Sequence, residues 1–349
     1  MNKEKMKNMA DRVFRDMAGG MAVGLAHVGT QTGLFKAMDG KGAMTIGDVV
    51  SASGLQARYV EEWLKGMVAA GYLDYDAAAG TFALPDEHAY LLAADDTDHY
   101  MGGLFGMLPP LLTVAPRVVD AFRHGGGVPF AEFAPECREA IDLMNRGNYE
   151  HRLVDYWLAQ LPDVTARLRA GGRALDVGCG TGHVALALAK AFPVSEIVGV
   201  DPDSKSIATA NAASAGIASA PRFVNATLDQ VEAKSKFDLI TLCDVLHDLP
   251  APIPVLTDIR ARLAPDGVLL VIEPRVSDQL EENVNSLAAM FYGFSVFHCM
   301  TQSLAHHGAG LGACMGPTRT SQLFRDAGFT RVDRLPIKSS VNLFFAVRQ

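Results

Sequence analysis

The chain has 349 residues, 49% of them hydrophobic, and a formal net charge of -8. That length allows about two domains with a sizeable core, and the acidic balance argues against a nucleic-acid backbone or an anionic membrane surface as partner. Its five cysteines show no C-x-x-C spacing, which speaks against a disulfide framework or a zinc knuckle and suits a reducing cytoplasm.

The first sixteen residues carry charges of both signs and do not read as a signal peptide. Met17–Phe35 lacks Asp, Glu, Lys and Arg, yet its glycines and His27 make it a poor membrane span. A buried helix pair or a dimer seam is expected there. Thr45-Ile-Gly-Asp48 reads as a capping box opening a short helix that Ser53-Gly54 ends. A second helix is predicted from Gln56 to Ala70, with Val60, Leu64, Met67 and Val68 on one face and Gly71 as its cap. Tyr72–Asp74 and Thr81–Leu84 then read as two short strands around a turn. Helix, helix and β-wing make a winged-helix pattern. Such a unit either binds DNA or serves as a scaffold. The second helix balances Arg58 and Lys65 against Glu61 and Glu62, where a groove-reading helix brings a basic stripe, so the scaffold reading leads. Met101–Val119, interrupted by Pro109, Pro110 and Pro116, reads as another buried helix pair or seam.

From about residue 172 the texture changes to short β-branched runs alternating with helical stretches, the pattern of a parallel α/β sheet. Strands are predicted at Arg173–Val177, Glu196–Val200, Arg222–Asn225, Phe237–Cys243 and Gly267–Glu273. A closing hairpin is predicted at Thr330–Pro336 and Val341–Val347, one strand of it antiparallel to the rest. The expected division is a mostly helical winged-helix domain over 1–160, for dimerisation and capping of substrate, and an α/β domain over 161–349.

Leu175-Asp176-Val177-Gly178-Cys179-Gly180-Thr181-Gly182 lies between a predicted strand and an Ala/Leu-rich helix, His183–Phe192. Glycines there permit φ > 0 and close approach of backbone to a ligand, and the helix N-terminus suits an anionic group. Gly178, Gly180 and Gly182 are followed by His183, so the third glycine of a dinucleotide fingerprint is missing. Asp201, ending the next strand before Pro202, can accept hydrogen bonds from both hydroxyls of a ribose. A helix N-cap aspartate fits the same position. These residues resemble the class I S-adenosylmethionine-dependent methyltransferases over the whole second half of the chain. The resemblance implies a Rossmann-like seven-stranded sheet and S-adenosylmethionine as cofactor. It places Asp176, Gly178, Cys179, Gly180 and Gly182 around the methionine portion and Asp201 and Pro202 at the ribose. Ala226 and Thr227 fall beside the adenine, and Asp244 also falls in the cofactor set. Many members carry an acidic residue where this chain has Thr227.

Phe237–Asp248 is a strand running into a loop, and ligands in such sheets bind beyond the carboxyl ends of strands. Val245-Leu246-His247-Asp248 resembles the small-molecule O-methyltransferases, in which the equivalent histidine is the general base and a helical N-terminal domain makes the homodimer. A neutral imidazole suits removal of a phenol's proton, and a loop histidine shaping the cofactor pocket is the plainer alternative. Between the fifth strand and the hairpin, residues 290–314 contain FHCM and GAGLG strings similar to a mycobacterial winged-helix methyltransferase subgroup, with His306-His307 as a departure. Three readings stay open. One is a packing helix. Another is a substrate lid with Met290, Phe294, Phe297, His298, His306 and His307 facing the acceptor and Gly308, Gly310 and Gly312 as hinge. The last is a metal site using His298, Cys299, His306, His307 and Cys314, whose spacing matches no standard zinc pattern; no metal is expected. The expected function is methyl transfer to a small, largely apolar acceptor, possessing a hydroxylated ring if His247 is the base. A SAM-sensing DNA-binding regulator and a methyltransferase fold recruited to another SAM reaction are the competing readings.

Overall fold

The computed structural model describes residues 1–231 and 236–349. The chain divides into two compact units: Met1–Pro110 with Pro135–Asn148, and Leu111–Ala134 with Tyr149–Gln349.

The first unit opens on α1 (Lys3–Thr32), followed by α2 (Leu34–Met38), α3 (Ile46–Ser53) and α4 (Ala57–Ala69). The predicted capping box is present: the Thr45 hydroxyl accepts from the Asp48 N–H and the Asp48 carboxylate accepts from the Thr45 N–H. Gly54, at φ 70°, ends α3, and Gly71, at φ 78°, follows α4 as its left-handed cap. The wing is β1 (Asp74–Asp76) paired antiparallel to β2 (Thr81–Ala83). Val60, Trp63, Leu64 and Met67 turn inward from α4 onto Phe35, Met38 and Val49. Trp63 donates its indole N–H to the Leu25 carbonyl at 2.8 Å. Gly29 is required in α1, because a Cβ there would lie 2.6 Å from the Trp63 ring.

The expectation of a buried pair over Met17–Phe35 needs correction. α1 runs unbroken through Gly19, Gly20 and Gly24, and residues 1–21 are exposed. Only its last third meets the core, through Ala26 and Gly29. Propagation from established helix on either side outweighs the roughly 1 kcal/mol that each interior glycine costs.

After α5 (Asp86–Leu92), α6 (Gly102–Thr113), α7 (Ala115–His124), α8 (Pro135–Arg152) and α9 (Pro162–Arg169), the second unit forms its sheet. The strands are β3 (Arg173–Val177), β4 (Glu196–Asp201), β5 (Arg222–Asn225), β6 (Phe237–Cys243), β7 (Leu263–Pro274), β8 (Arg331–Arg334) and β9 (Asn342–Arg348). They lie in the order β5-β4-β3-β6-β7-β9-β8. The first five are parallel, and β9 is antiparallel to both β7 and β8, as the hairpin reading requires. Helices α10 (His183–Ala191), α11 (Ser204–Ser214), α12 (Pro252–Arg262) and α15 (Gly316–Asp326) intervene. The central strands are continuous apolar runs because both faces are covered. Leu175, Val198, Ile240, Leu242, Leu269 and Val271 pack on one face, and Ala174, Leu239, Val268, Leu270 and Phe344 on the other. Each fully buried Leu or Val contributes about 1.5–3 kcal/mol.

The chain direction across the sheet reverses between β3 and β6. That switch point opens a crevice beyond the carboxyl ends of the strands, where ligands of such sheets bind. The segment 286–305 is one helical run: α13 (Ser286–Phe294), a π turn (Ser295–Cys299) and α14 (Met300–Ala305).

Candidate active site

The loop after β3 is held open by backbone geometry. Gly178, Gly180 and Gly182 have φ of 71°, 50° and 92°, a region that side chains with a Cβ resist. A Cβ on Gly178 would lie 2.6 Å from Val245, and one on Gly182 would lie 2.6 Å from Phe223. At Gly180 nothing stands within 4 Å of the added atom, so the loop leaves open space there. Gly182 leads directly into α10 with its free N–H groups. Cys179 is buried with its sulfur towards Gly199, and burial holds its thiol well above the ordinary range.

Three acids surround this loop. Asp176 is buried on β3; its Oδ1 accepts from the Thr241 hydroxyl at 2.6 Å, and its Oδ2 accepts no hydrogen bond. Burial pushes this carboxyl up to about 7, with Thr241 pulling it down and Asp201 adding to the rise. Asp201 accepts from Gly180 N–H at 2.9 Å and from Asp203 N–H at 2.8 Å. Each of its oxygens keeps a lone pair for another donor. Asp244, beyond β6, takes φ 54° without being glycine. Its carboxyl is pushed up to about 7 by burial, against the charge of His247, and it accepts from the Tyr149 hydroxyl at 3.2 Å. Ala226 donates its N–H to the Asp201 carbonyl. Thr227 caps the short turn Leu228–Gln230. Pro202 is exposed, and its carbonyl accepts from the Asn225 amide at 2.9 Å.

His247 lies in a turn after β6 and is 3% exposed. Its Nδ1 is 2.7 Å from Glu273 Oε2, and its Nε2 is 3.4 Å from Asp248 Oδ1. Burial works against the imidazolium, but Glu273 and then Asp248 outweigh it and hold the ring's pKa well above its usual value. Gly312 donates its N–H to the His247 carbonyl and Ala309 to that of Pro250, so the glycine segment is tied to the His247 turn. Gly308 has Pro250 directly against it. These contacts describe a clamp, where the sequence suggested a hinge.

From the helical run, His298 and Cys299 are buried. His298 packs edge-on against Phe130 and Phe133, 5.9 and 5.1 Å between centroids, and approaches Gln302. Its burial keeps it neutral more readily than a free histidine. Met290 and Phe294 are half-buried on α13. Phe297 lines a shallow apolar cleft of about 380 Å³ with Val118, Val119 and Phe122 of α7. His306 and His307 are exposed at the end of α14 and stand outside this cluster. The residues expected from the glycine loop and from the VLHD string therefore gather at one end of the sheet, with His298. Glu273, Tyr149 and Thr241 complete the set and carry no local sequence signal: each is recognised only by its tertiary partner.

A model for "Methyltransferase domain" matches residues 149–333, more than half of the chain. The chain belongs to the methyltransferase domain family. A second model, "Rv2258c-like winged HTH domain", matches residues 9–94 of this methyltransferase. Among curated proteins, it is 35% identical over 108 residues to the ubiquinone biosynthesis O-methyltransferase of Actinobacillus pleuropneumoniae serotype 7 (28% of this chain and 44% of that protein). A demethylmenaquinone methyltransferase of Staphylococcus aureus is 27% identical over 107 residues (30% and 44%). The chain thus spans under half the length of these curated relatives. Solved structures share its fold from end to end. A putative O-methyltransferase of Nostoc punctiforme has a TM-score of 0.71 at 19% identity, covering 100% and 99% of the two chains. Human N-acetylserotonin methyltransferase, in complex with SAM, has 0.69 at 18%, covering 97% of each. That neighbour holds SAM, and the residues of this chain fit such a group: the glycine cradle leaves room at Gly180, and Asp176 Oδ2 presents a buried acceptor without a donor.

Proposed function

We propose that the chain transfers a methyl group from S-adenosylmethionine to the oxygen of a small, largely apolar acceptor such as a phenol, with His247 as general base. The observation that carries this reading is the buried His247–Glu273 pair at the carboxyl ends of β6 and β7. S-adenosylmethionine, when bound, supplies an electrophilic methyl on a sulfonium. Glu273 accepts a hydrogen bond from Nδ1–H, which fixes the tautomer whose Nε2 can accept a proton from the acceptor hydroxyl. Both neighbouring carboxylates favour the protonated ring, so His247 becomes a base as pH rises through its raised pKa. They also stabilise the imidazolium formed once the acceptor's proton has arrived. General base catalysis contributes roughly 10²–10⁴-fold. Alignment of nucleophile and methyl offers more, about 7–11 kcal/mol. In this reading Asp176, Asp201 and Asp244 serve the cofactor, and Phe294, Phe297 and His298 the acceptor.

We assign residues 1–160 to dimerisation and capping of the acceptor, with Tyr149 reaching Asp244 and Phe130 and Phe133 packing on His298, and 161–349 to the cofactor and chemistry. A homodimer is favoured by α1, which exposes Met6, Met9, Val13, Met17 and Met21 at helical spacing. DNA reading by α4 is disfavoured because Arg58 is paired with Glu62 and Lys65 with Glu61. The test is transfer of labelled methyl to a panel of phenols, alongside calorimetry with S-adenosylmethionine and its demethylated product. Absence of binding by both compounds would sink the reading. Binding with transfer only to nitrogen or carbon acceptors would remove the oxygen assignment.

A further inference from the structure

A ring nitrogen of His247, a carboxylate oxygen of Asp248 and Cys299 Sγ all lie within 4.8 Å of one another. We infer that these three side chains form a binding site for a divalent transition metal of the zinc class. The first argument is spacing. Metal–nitrogen and metal–oxygen bonds of about 2.0–2.1 Å set a tetrahedral N···O edge of about 3.3–3.4 Å. His247 Nε2 and Asp248 Oδ1 are 3.4 Å apart. That is long for a charge-assisted hydrogen bond, which closes to about 2.7–2.9 Å. Asp248 Oδ1 is itself buried and meets no donor in hydrogen-bond geometry, and the Cys299 thiol lies within reach of the same carboxylate. The two atoms face one another at ligand separation without satisfying one another.

The second argument is the outer partner. A metal-bound histidine characteristically gives its other ring N–H to a carboxylate, which fixes ring orientation and raises ligand basicity. Glu273 does this for His247 at 2.7 Å. The third is presentation. Cys299 ends the π turn, a local widening frequently found at functional positions, and comes from a different element than His247 and Asp248. Three protein donors leave one tetrahedral position open. The Asp248 side chain is 29% exposed, which provides a way in for the ion. The donor set of imidazole, carboxylate and thiolate suits Zn²⁺ or Co²⁺ and not Mg²⁺ or Ca²⁺. The site rests on geometry and not on the methyl-transfer reading, and since an ion there engages the Nε2 lone pair, His247 acts as base only in the ion-free protein.

The test is titration of the full-length protein with Co²⁺ under a phosphine reductant. One equivalent should bind, with a thiolate-to-cobalt charge-transfer band that Zn²⁺ abolishes. Cys299→Ser should remove the band and Cys314→Ser should retain it. Glu273→Gln should weaken Co²⁺ binding by roughly 10–100-fold without touching a ligand. No band at saturating Co²⁺, or a band surviving Cys299→Ser, overturns the assignment. If Cys299→Ser fails to bind S-adenosylhomocysteine and so is misfolded, Asp248→Asn replaces it. Co²⁺ binding weakened at least about tenfold in that variant supports the site, and unchanged affinity overturns it.

Discussion

The proposed cofactor end of the crevice and the proposed acceptor end are assembled by different means. At the cofactor end, Asp176 stands on β3, the three glycines follow in the loop directly after it, and Asp201 reaches that loop through a bond to Gly180 N–H. Backbone conformation does the shaping. At the acceptor end, His247 depends on Glu273 from the next strand, on a clamp at Gly312 and on a π turn that delivers Cys299. Side-chain contacts between distant segments do the shaping there.

The largest expected contrast tests whether chemistry is confined to the acceptor end. His247→Gln should lower kcat by about 10²–10⁴-fold on any acceptor that supports turnover. Calorimetry should find the affinity for S-adenosylhomocysteine little changed. A comparable loss of cofactor affinity would erase the distinction between the two ends.

Glycine replacements test the backbone argument. Gly182→Ala combines φ 92° with contacts of 2.6 and 2.9 Å to Phe223 and Ala210, and should cost about 2–6 kcal/mol in urea unfolding. Gly180→Ala meets no protein atom within 4 Å. It should cost only about 1–2 kcal/mol of stability while still reducing cofactor affinity. Equal stability losses in the two variants would refute the cradle.

A pH effect of about tenfold should separate the ends again. Asp176 and Asp244 are pushed up to about 7 by burial. Binding of the cationic cofactor favours their ionised forms, so its affinity should rise from pH 6 to pH 8. The linkage sign is opposite for the free protein. Folded pKa values above the unfolded ones give stability that is full at low pH and lost as pH rises through 7. The thermal midpoint without cofactor should therefore fall over the interval in which affinity climbs. His247 shifts the turnover profile separately, with activity rising through a pKa above the ordinary histidine value. The smallest effect belongs to Tyr149→Phe. Removing its hydrogen bond should cost about 0.5–1.5 kcal/mol of cofactor affinity and move the affinity midpoint to higher pH, since Tyr149 helps Asp244 ionise.

The same contrast explains what the sequence revealed. β3, β5 and β6 begin and end at the predicted residues, because apolar runs and flanking turns are local signals. The three loop glycines all require positive φ, which their spacing foretold. The seven-stranded sheet and its closing hairpin were legible for the same reason. Glu273 was hidden inside a strand and Tyr149 inside a helix far from the motif, so only folding connects them to His247 and Asp244. The histidines at 306 and 307 attracted notice by composition, yet exposure at a helix end gives them no shared partner. α1 departs from the buried-pair half of its expectation for a complementary reason, and the dimer-seam half stays a proposal. Its missing charges over Met17–Phe35 suggested burial, although the chain by itself offers no surface for that stripe.

The π turn at Ser295–Cys299 sets the phase of everything that follows it. Such a turn adds one residue to an otherwise regular helix. Deleting a residue there would restore uniform hydrogen bonding and rotate all that follows by about 100°. The shortened helix would be the more regular one, but Cys299 and the glycine clamp behind it would leave their present bearings. The surplus residue keeps the two halves of the helix in different phases, one set by α13 and the other by the His247 turn.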